Sequence, residues 1–163
     1  MHRTVASGTE LTPLEGCGML SPKTKGFNLR SQRRAMSAFV AQPLQASERQ
    51  LLHEGLDRFD RGAFWHAHES WEDLWNALKA RQAPMEEVLL VQGLIQTAAL
   101  LLHHERHNAV GVSKQWAKLQ PKLEGWVTAW GLDIQRHMQA VEAYAKDGGT
   151  WSLVAATHRL PRA

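Results

Sequence analysis

The stretch of residues 88–104, VLLVQGLIQTAALLLHH, constrains the fold more than any other part of the sequence. As a helix it is apolar around its whole circumference, and such a helix must be covered by protein on every side. Its polar exceptions are regularly spaced: Gln92, Gln96 and His103 lie four and seven residues apart and form one narrow stripe. We therefore predict a buried central helix that is surrounded by other helices.

The stretch of residues 59–75, FDRGAFWHAHESWEDLW, supplies the neighbouring helix. A helix over about residues 63–79 places five side chains on one face: Phe64, His68, Trp71, Glu72 and Trp75. The aromatic rings predict that this face points to the core, where His68 and Glu72 would need polar partners. Helices joined by a short loop usually pack antiparallel. We therefore predict that the two polar stripes face each other and form a buried network of His68, Glu72, Gln92, Gln96 and His103.

Three further helices are predicted, over residues 47–59, 109–120 and 134–146. Ser47 and Gln50 have the spacing of a capping box for the first of them. Pro121 is expected to kink the fourth helix or to start a new segment. Because the chain lacks a long alternation of apolar and polar residues, no strand is predicted. The predicted fold is all-α, a compact bundle of about five helices over residues 46–163.

Residues 1–45 are rich in glycine and proline and carry no periodic apolar pattern, so they predict a disordered basic tail. Residues 1–35 contain six basic and two acidic side chains, whereas the rest of the chain contains 13 and 14. The folded part therefore lacks the charge that nucleic-acid binding requires, and no nucleic-acid partner is expected. Three explanations of the tail remain open: translation that begins at Met36, an organelle transit peptide, or a functional basic arm.

The single cysteine, Cys17, cannot form an internal disulfide, which favours a reducing compartment. We expect a cytoplasmic protein, or a plastid one if the tail is a transit peptide. The apolar runs are shorter than the about 20 residues of a membrane-spanning helix, so no membrane partner is expected.

The two stretches together, FDRGAFWHAHESWEDLW and LVQGLIQTAALLLHHERHNAVG, resemble the bacterial and plastid-associated family called domain of unknown function 309. The pattern of that family is F-N/D-x-G-x-F/Y-x-E-x-H-E-x-x-E-x-x-W, then L-Q-G-L-I-Q, a histidine pair and a Gly-Asn turn. The resemblance covers about residues 45–123 and implies a compact all-helical domain without an established activity. The matching polar positions are His68, Glu69, Glu72, Gln92, Gln96 and His103. Two positions depart from the pattern: His66 replaces a glutamate, and His107 replaces the glycine before Asn108, which implies an altered turn.

Two classes of function follow from these residues. The first is a structural or interaction module, in which the polar stripe fixes the register of the helices and Trp65 and Trp126 are candidate anchors for a partner or a second copy. The alternative is a metal-dependent hydrolase-like enzyme, in which His68, Glu72 and His103 bind one divalent metal ion and Glu69 is the catalytic base. A pocket for a small molecule without metal is a third option for the same stripe. A homo-oligomer is compatible with each of them.

Overall fold

Five α-helices form most of the chain that the structure describes. The structure is a computed structural model and describes residues 39–163. The helices are α1 (Ala46–Asp60), α2 (Phe64–Ala80), α3 (Met85–Glu105), α4 (Ala109–Leu123) and α5 (Ile134–Ala145), with a small antiparallel pair of strands, β1 (Thr128–Ala129) and β2 (Leu132–Asp133). The predicted all-helical bundle is confirmed. Residues 1–38 of the predicted tail lie outside the described residues.

Helix α3 is the central element, and it packs on α2, α4 and α5. By length and composition alone this helix could cross a membrane, but 61% of its most apolar window is buried inside the protein. Burial by neighbouring helices is what its circumferential apolarity requires. The predicted central helix is therefore present, over Met85–Glu105.

A tight corner joins α1 to α2. Gly62 has a φ of +77°, and its N–H donates to the carbonyl of Phe59 at 2.9 Å. A β-carbon at Gly62 would lie 2.9 Å from the carbonyl oxygen of Ala155, so both the backbone conformation and the available space favour glycine. This corner sets α2 against α1, and α2 in turn packs on α3.

A buried ion pair ties the start of α1 to the end of α2. Glu48 is 1% exposed, and both of its carboxylate oxygens accept from Arg81 Nε, at 2.7 and 3.1 Å. Glu48 Oε1 also accepts from the backbone N–H of Gln45 at 3.0 Å. The prediction of a capping box at Ser47 and Gln50 is therefore wrong by two residues, since α1 begins one residue before Ser47.

Residues 39–45, which the sequence analysis assigned to the tail, lie against the domain. The ring of Phe39 packs on Trp126 with a centroid separation of 5.2 Å, and the N–H of Gln42 donates to the buried Glu87 at 2.6 Å. Trp126 is only 3% exposed. The prediction of Trp126 as a surface anchor is therefore wrong, because this segment and the core cover its ring.

Helix α4 continues through Pro121 and ends at Leu123. Beyond α5 the chain returns to the corner between α1 and α2. There the N–H of Leu160 donates to Asp60 Oδ1 at 2.8 Å, and Arg162 pairs with Asp60 Oδ2 at 2.7 Å. Leu160 itself is buried in the core.

Candidate functional site

A continuous groove runs along the outward side of α3, between α2 and α4. Three cavities of about 260, 260 and 410 Å³ follow one another along it. His68, Ala99 and Gln115 line both the first and the second cavity, and Trp75 and Gln92 line both the second and the third. The other lining residues are Phe64, Trp65, Ala98, Leu102, His103 and Arg106 in the first, Glu72, Ile95, Gln96 and Lys118 in the second, and Lys79, Gln82, Ala83, Met85, Val88 and Leu89 in the third. We call this surface the α3 groove.

The predicted polar residues of α2 lie on one edge of this groove. The imidazole of His68 stacks on the indole of Trp65, with centroids 5.3 Å apart and planes inclined by 6°. Its Nε2 lies 3.8 Å from Glu72 Oε1, and half of the Glu72 side chain is exposed. His68 Nδ1 is buried and has no hydrogen-bond partner among the described residues. Glu69 is exposed and pairs with His66 at 3.2 Å, so its carboxylate has a partner on its own helix.

The glutamines of α3 lie on the floor of the groove and face α4 as well as α2. Gln96 Oε1 accepts from Lys122 Nζ at 2.9 Å. Burial lowers the pKa of Lys122, and the neighbouring charge of Lys118 lowers it further. Gln92 is half-buried and lines the groove one turn away. The floor of the groove is therefore joined to α4 by a hydrogen bond from a lysine.

His103 is held at the end of the groove by the start of α4. Asn108 Oδ1 accepts from the N–H of Gly111 at 2.9 Å, which fixes the amide so that Nδ2 donates to His103 Nδ1 at 3.2 Å. With Nδ1 as the acceptor, the proton of neutral His103 lies on Nε2. A β-carbon at Gly111 would lie 2.5 Å from the imidazole, so the ring rests directly on this glycine.

Two parts of the site prediction need correction. The stripes of α2 and α3 do line the same surface, but they form a half-exposed groove instead of a sealed network. Among residues 39–163, no group of three or more His, Cys, Asp or Glu side chains is arranged to hold a metal ion. The structure therefore does not assemble His68, Glu72 and His103 into a ligand set.

The buried polar groups lie elsewhere, in a cluster below α5 that the sequence analysis did not identify. His104 Nε2 and Asp147 Oδ2 are 2.5 Å apart, and His104 is 1% exposed. Burial raises the pKa of Asp147, but hydrogen bonds from His104 and from the backbone outweigh it and lower that pKa to about 2. Burial also lowers the pKa of His158, whose ring contacts Tyr144 at 5.3 Å. His104 was detectable in principle, because a polar residue in a helix that is buried on all sides must have a buried partner.

His137 is the most deeply buried histidine of this cluster. Thr97 donates its hydroxyl proton to the carbonyl of Leu94 at 2.7 Å, so its oxygen accepts from His137 Nε2 at 3.1 Å. Nδ1 of His137 then carries no proton, and it has no partner among the described residues. Burial, assisted by His158, lowers the pKa of His137 to about 3.

The altered turn that the family resemblance implied lies at His107. This residue has a φ of +53°, the left-handed conformation that glycine adopts most easily. Its imidazole stacks on Trp151, with centroids 4.8 Å apart and planes inclined by 8°. The ring contact explains how a histidine is retained where the family pattern has glycine.

A protein-family model matches the middle of the chain. Residues 52–114 match the family described as Domain of unknown function (DUF309). These residues extend from α1 to the first turns of α4 and include every predicted site residue, so this part of the chain is similar to that family. Searches of curated proteins and of solved structures gave no match.

Proposed function

We propose that this domain is a non-catalytic interaction module and that the α3 groove is its binding surface. The observation that carries the proposal is the continuity of the three cavities along α3. An apolar floor with hydrogen-bonding groups along it is typical of a recognition surface. Here the floor contains Ala99 and Leu102, and the amides of Gln92 and Gln96 supply donors and acceptors.

The side chains at the edges of the groove are of the types that anchor protein interfaces. Trp65 is 53% exposed and Met85 is 66% exposed, at opposite ends of the groove. Trp75 is half-buried between them, and Lys79 Nζ lies 3.2 Å from the centre of its ring. Tryptophan and methionine are enriched at interfaces, where large apolar side chains supply most of the binding energy.

The dimensions of the groove suit a helical partner. Helix α3 has 21 residues, which corresponds to about 30 Å at the usual rise per residue. An amphipathic helix that lies over α3 would bury its apolar side against Leu89, Ile95 and Leu102 and would complete a bundle with α2 and α4. The lone Cys17 supports a site of action in a reducing compartment such as the cytoplasm.

The hydrolase alternative has less support. Its proposed base, Glu69, pairs with His66 on the solvent side of α2. Its proposed ligand His103 is oriented by Asn108. No geometric relationship among the described residues favours a metal-bound water over the interaction role.

The test is a selection of displayed amphipathic helical peptides against the purified full chain, followed by titration calorimetry of the selected peptides. Ala99→Arg fills the centre of the groove, and its guanidinium can extend to solvent, so the fold is retained. We expect the selected peptides to bind the wild-type chain and to lose at least about tenfold in affinity for Ala99→Arg.

The matched control is Val154→Arg, which introduces the same arginine side chain at an exposed residue outside the groove. It should bind the peptides as the wild type does. Melting temperatures of both variants report whether they are folded. Peptides that bind Ala99→Arg with unchanged affinity, or a selection that yields none, would overturn the groove as a binding surface.

A further inference from the structure

In the middle of the α3 groove the two edges carry opposite charge. Glu72 of α2 and Lys118 of α4 both line the central cavity, and Lys114 and Lys122 lie one turn before and after Lys118. The lysine of the α2 edge, Lys79, lies in the third cavity instead. Lys114 and Lys118 form no ion pair with any residue from 39 to 163, and the side chain that pairs with Glu72 among these residues is the imidazole of His68, at 3.8 Å. A surface with one acidic and one basic edge is complementary to itself when it is turned over.

We propose that the partner in the groove is a second copy of this chain, which docks its own α3 groove about a two-fold axis parallel to α3. The inference rests on the proposed function and names the partner of that surface. A two-fold interface uses the same patch on both copies, so each contact occurs twice.

The direction of the axis follows from the charges. An axis parallel to α3 exchanges the two edges, and it therefore sets the α2 edge of one copy over the α4 edge of the other. An axis across the groove would instead oppose α2 to α2 and glutamate to glutamate. Like charges in direct opposition destabilise an interface, so the parallel axis is the one that the edges favour.

The register follows from the central cavity. Glu72 and Lys118 both line it, so they lie at the same level along the groove. A rotation about an axis parallel to α3 leaves that level unchanged. Glu72 of each copy therefore comes opposite Lys118 of the other, and the dimer gains two equivalent ion pairs.

The floor of the groove suits contact between the two α3 helices. Ala99 is small and lies between two cavities, so the helices can approach closely there. Gln92 and Gln96 each carry an amide donor and an acceptor, which lets them pair with the same residues of the second copy. A groove about 30 Å long and about 20 Å wide gives roughly 600 Å² on each copy, and roughly 1,200 Å² in total is the lower bound for a specific interface.

Sedimentation velocity of the full chain, from about 1 to about 200 µM, tests the proposal. We expect a reversible dimer that weakens as salt is raised. Lys118→Glu opposes glutamate to glutamate twice, and Glu72→Lys opposes lysine to lysine twice, so each should raise the dissociation constant at least about tenfold. The combined Glu72→Lys and Lys118→Glu chain reverses both partners and should restore the dimer.

The controls reverse exposed charges outside the groove: Asp57→Lys on α1 and Arg136→Glu on α5. Both should dimerise as the wild type does. A dimer that is unaffected by either groove reversal would overturn the groove as its interface. A dimer that both reversals weaken, and that the combined chain does not restore, would overturn the parallel axis.

A chain that is monomeric at every concentration would overturn the second copy as the partner. That result leaves the peptide selection to decide the proposed function. If the selected peptides no longer bind Ala99→Arg and the wild type is monomeric, the groove binds a helical partner other than a second copy. If the dimer fails and Ala99→Arg also binds peptides normally, both proposals are wrong.

Discussion

Gly55 of α1 lies directly against the indole of Trp71 of α2: a β-carbon at residue 55 would lie 2.1 Å from Trp71 Nε1. Trp71 is fully buried, and its Nε1–H donates to the carbonyl of Leu52 at 3.3 Å. The two helices can approach this closely only because residue 55 has no side chain. Glycine in the middle of a helix is otherwise unfavourable, so the contact with Trp71 accounts for its presence.

Gly55→Ala should lower the free energy of unfolding by about 2–3 kcal/mol, because overpacking against a fully buried ring outweighs the better helix propensity of alanine. Urea denaturation measures the change. His53→Ala, at an exposed position two residues earlier, is the control and should change stability by less than about 0.5 kcal/mol. Trp71→Phe frees space beside residue 55, so the alanine should be less harmful in that background. Equal losses in both backgrounds would contradict the contact.

Arg81→Ala should lower stability by about 3 kcal/mol, because it leaves the buried Glu48 carboxylate without its cation. A natural control exists, since Arg106 follows α3 as Arg81 follows α2, and Arg106 is exposed. Arg106→Ala should change stability by less than about 0.5 kcal/mol. Chemical denaturation of both variants gives the comparison. Equal effects of the two substitutions would mean that the ion pair with Glu48 is not what stabilises the helix end.

His107→Gly should have a small effect in the wild-type chain, because two contributions oppose each other. Glycine adopts the left-handed conformation without strain, which stabilises the fold by about 1 kcal/mol. Loss of the stacked ring destabilises the fold by about 1 kcal/mol. In a Trp151→Ala background the ring contact is already absent, and the same substitution should then stabilise by about 1 kcal/mol. A thermal-denaturation double-mutant cycle measures the difference. Identical effects of His107→Gly in the two backgrounds would refute a role for the stacking.

The free energy of unfolding should decrease as the pH is lowered, and His137 should account for part of the decrease. The unfolded chain binds a proton at His137 near pH 6.5, whereas the folded protein does so only near pH 3. The stabilisation is therefore complete above pH 6.5 and is lost as the pH falls toward 3, at about 1.4 kcal/mol for each pH unit. Between pH 7.5 and 5.0 the wild type should lose about 2 kcal/mol more than a His137→Leu, Thr97→Val chain.

The double substitution is chosen because it removes both partners of the hydrogen bond and leaves no buried group unpaired. Urea denaturation at the two pH values gives the comparison, and His158 is present in both chains. Parallel losses in wild type and variant would show that His137 does not contribute to the acid sensitivity.

Elemental analysis of untagged chain, purified without added metal or chelator, tests the ligand geometry of the groove. We expect less than about 0.1 equivalent of zinc, iron or manganese, because three ligands are not assembled there. His68→Ala should lower stability by less than about 1 kcal/mol, since Glu72 is half exposed and remains solvated. One equivalent of metal that disappears in His68→Ala would instead support the metal-dependent hydrolase.

The periodicity of the sequence was sufficient to predict the helices but not the residues at which they begin. The circumferential apolarity of residues 88–104 required the central position of α3. The capping box was misplaced because Ser47 has a favourable residue type, whereas the observed box joins Gln45 to Glu48, and Glu48 is held there by Arg81, 33 residues away. A pairing between residues so far apart is not encoded in local spacing.

Helical spacing predicted that the polar stripes of α2 and α3 face each other, and residues of both stripes line the central cavity. The exposure of that surface was not predicted. The same spacing cannot tell how closely α4 covers that surface, and a Lys122 bond to Gln96 is compatible with a surface left half open. The buried pair of His104 and Asp147 was missed for a related reason, because the two residues are 43 positions apart and join elements of different type.

The bonds from Leu160 and Arg162 to Asp60 have a consequence for how the protein opens. Residues 146–163 contain no helix and would ordinarily be expected to exchange their amide hydrogens quickly. Because Asp60 anchors this segment at the end of α1, and Leu160 is buried in the core, releasing it also exposes the ring of Phe59 beside His158. The segment and α1 should therefore open as one cooperative unit. The amides of residues 146–163 that are hydrogen-bonded should then exchange as slowly as those of α1, although the segment contains no helix.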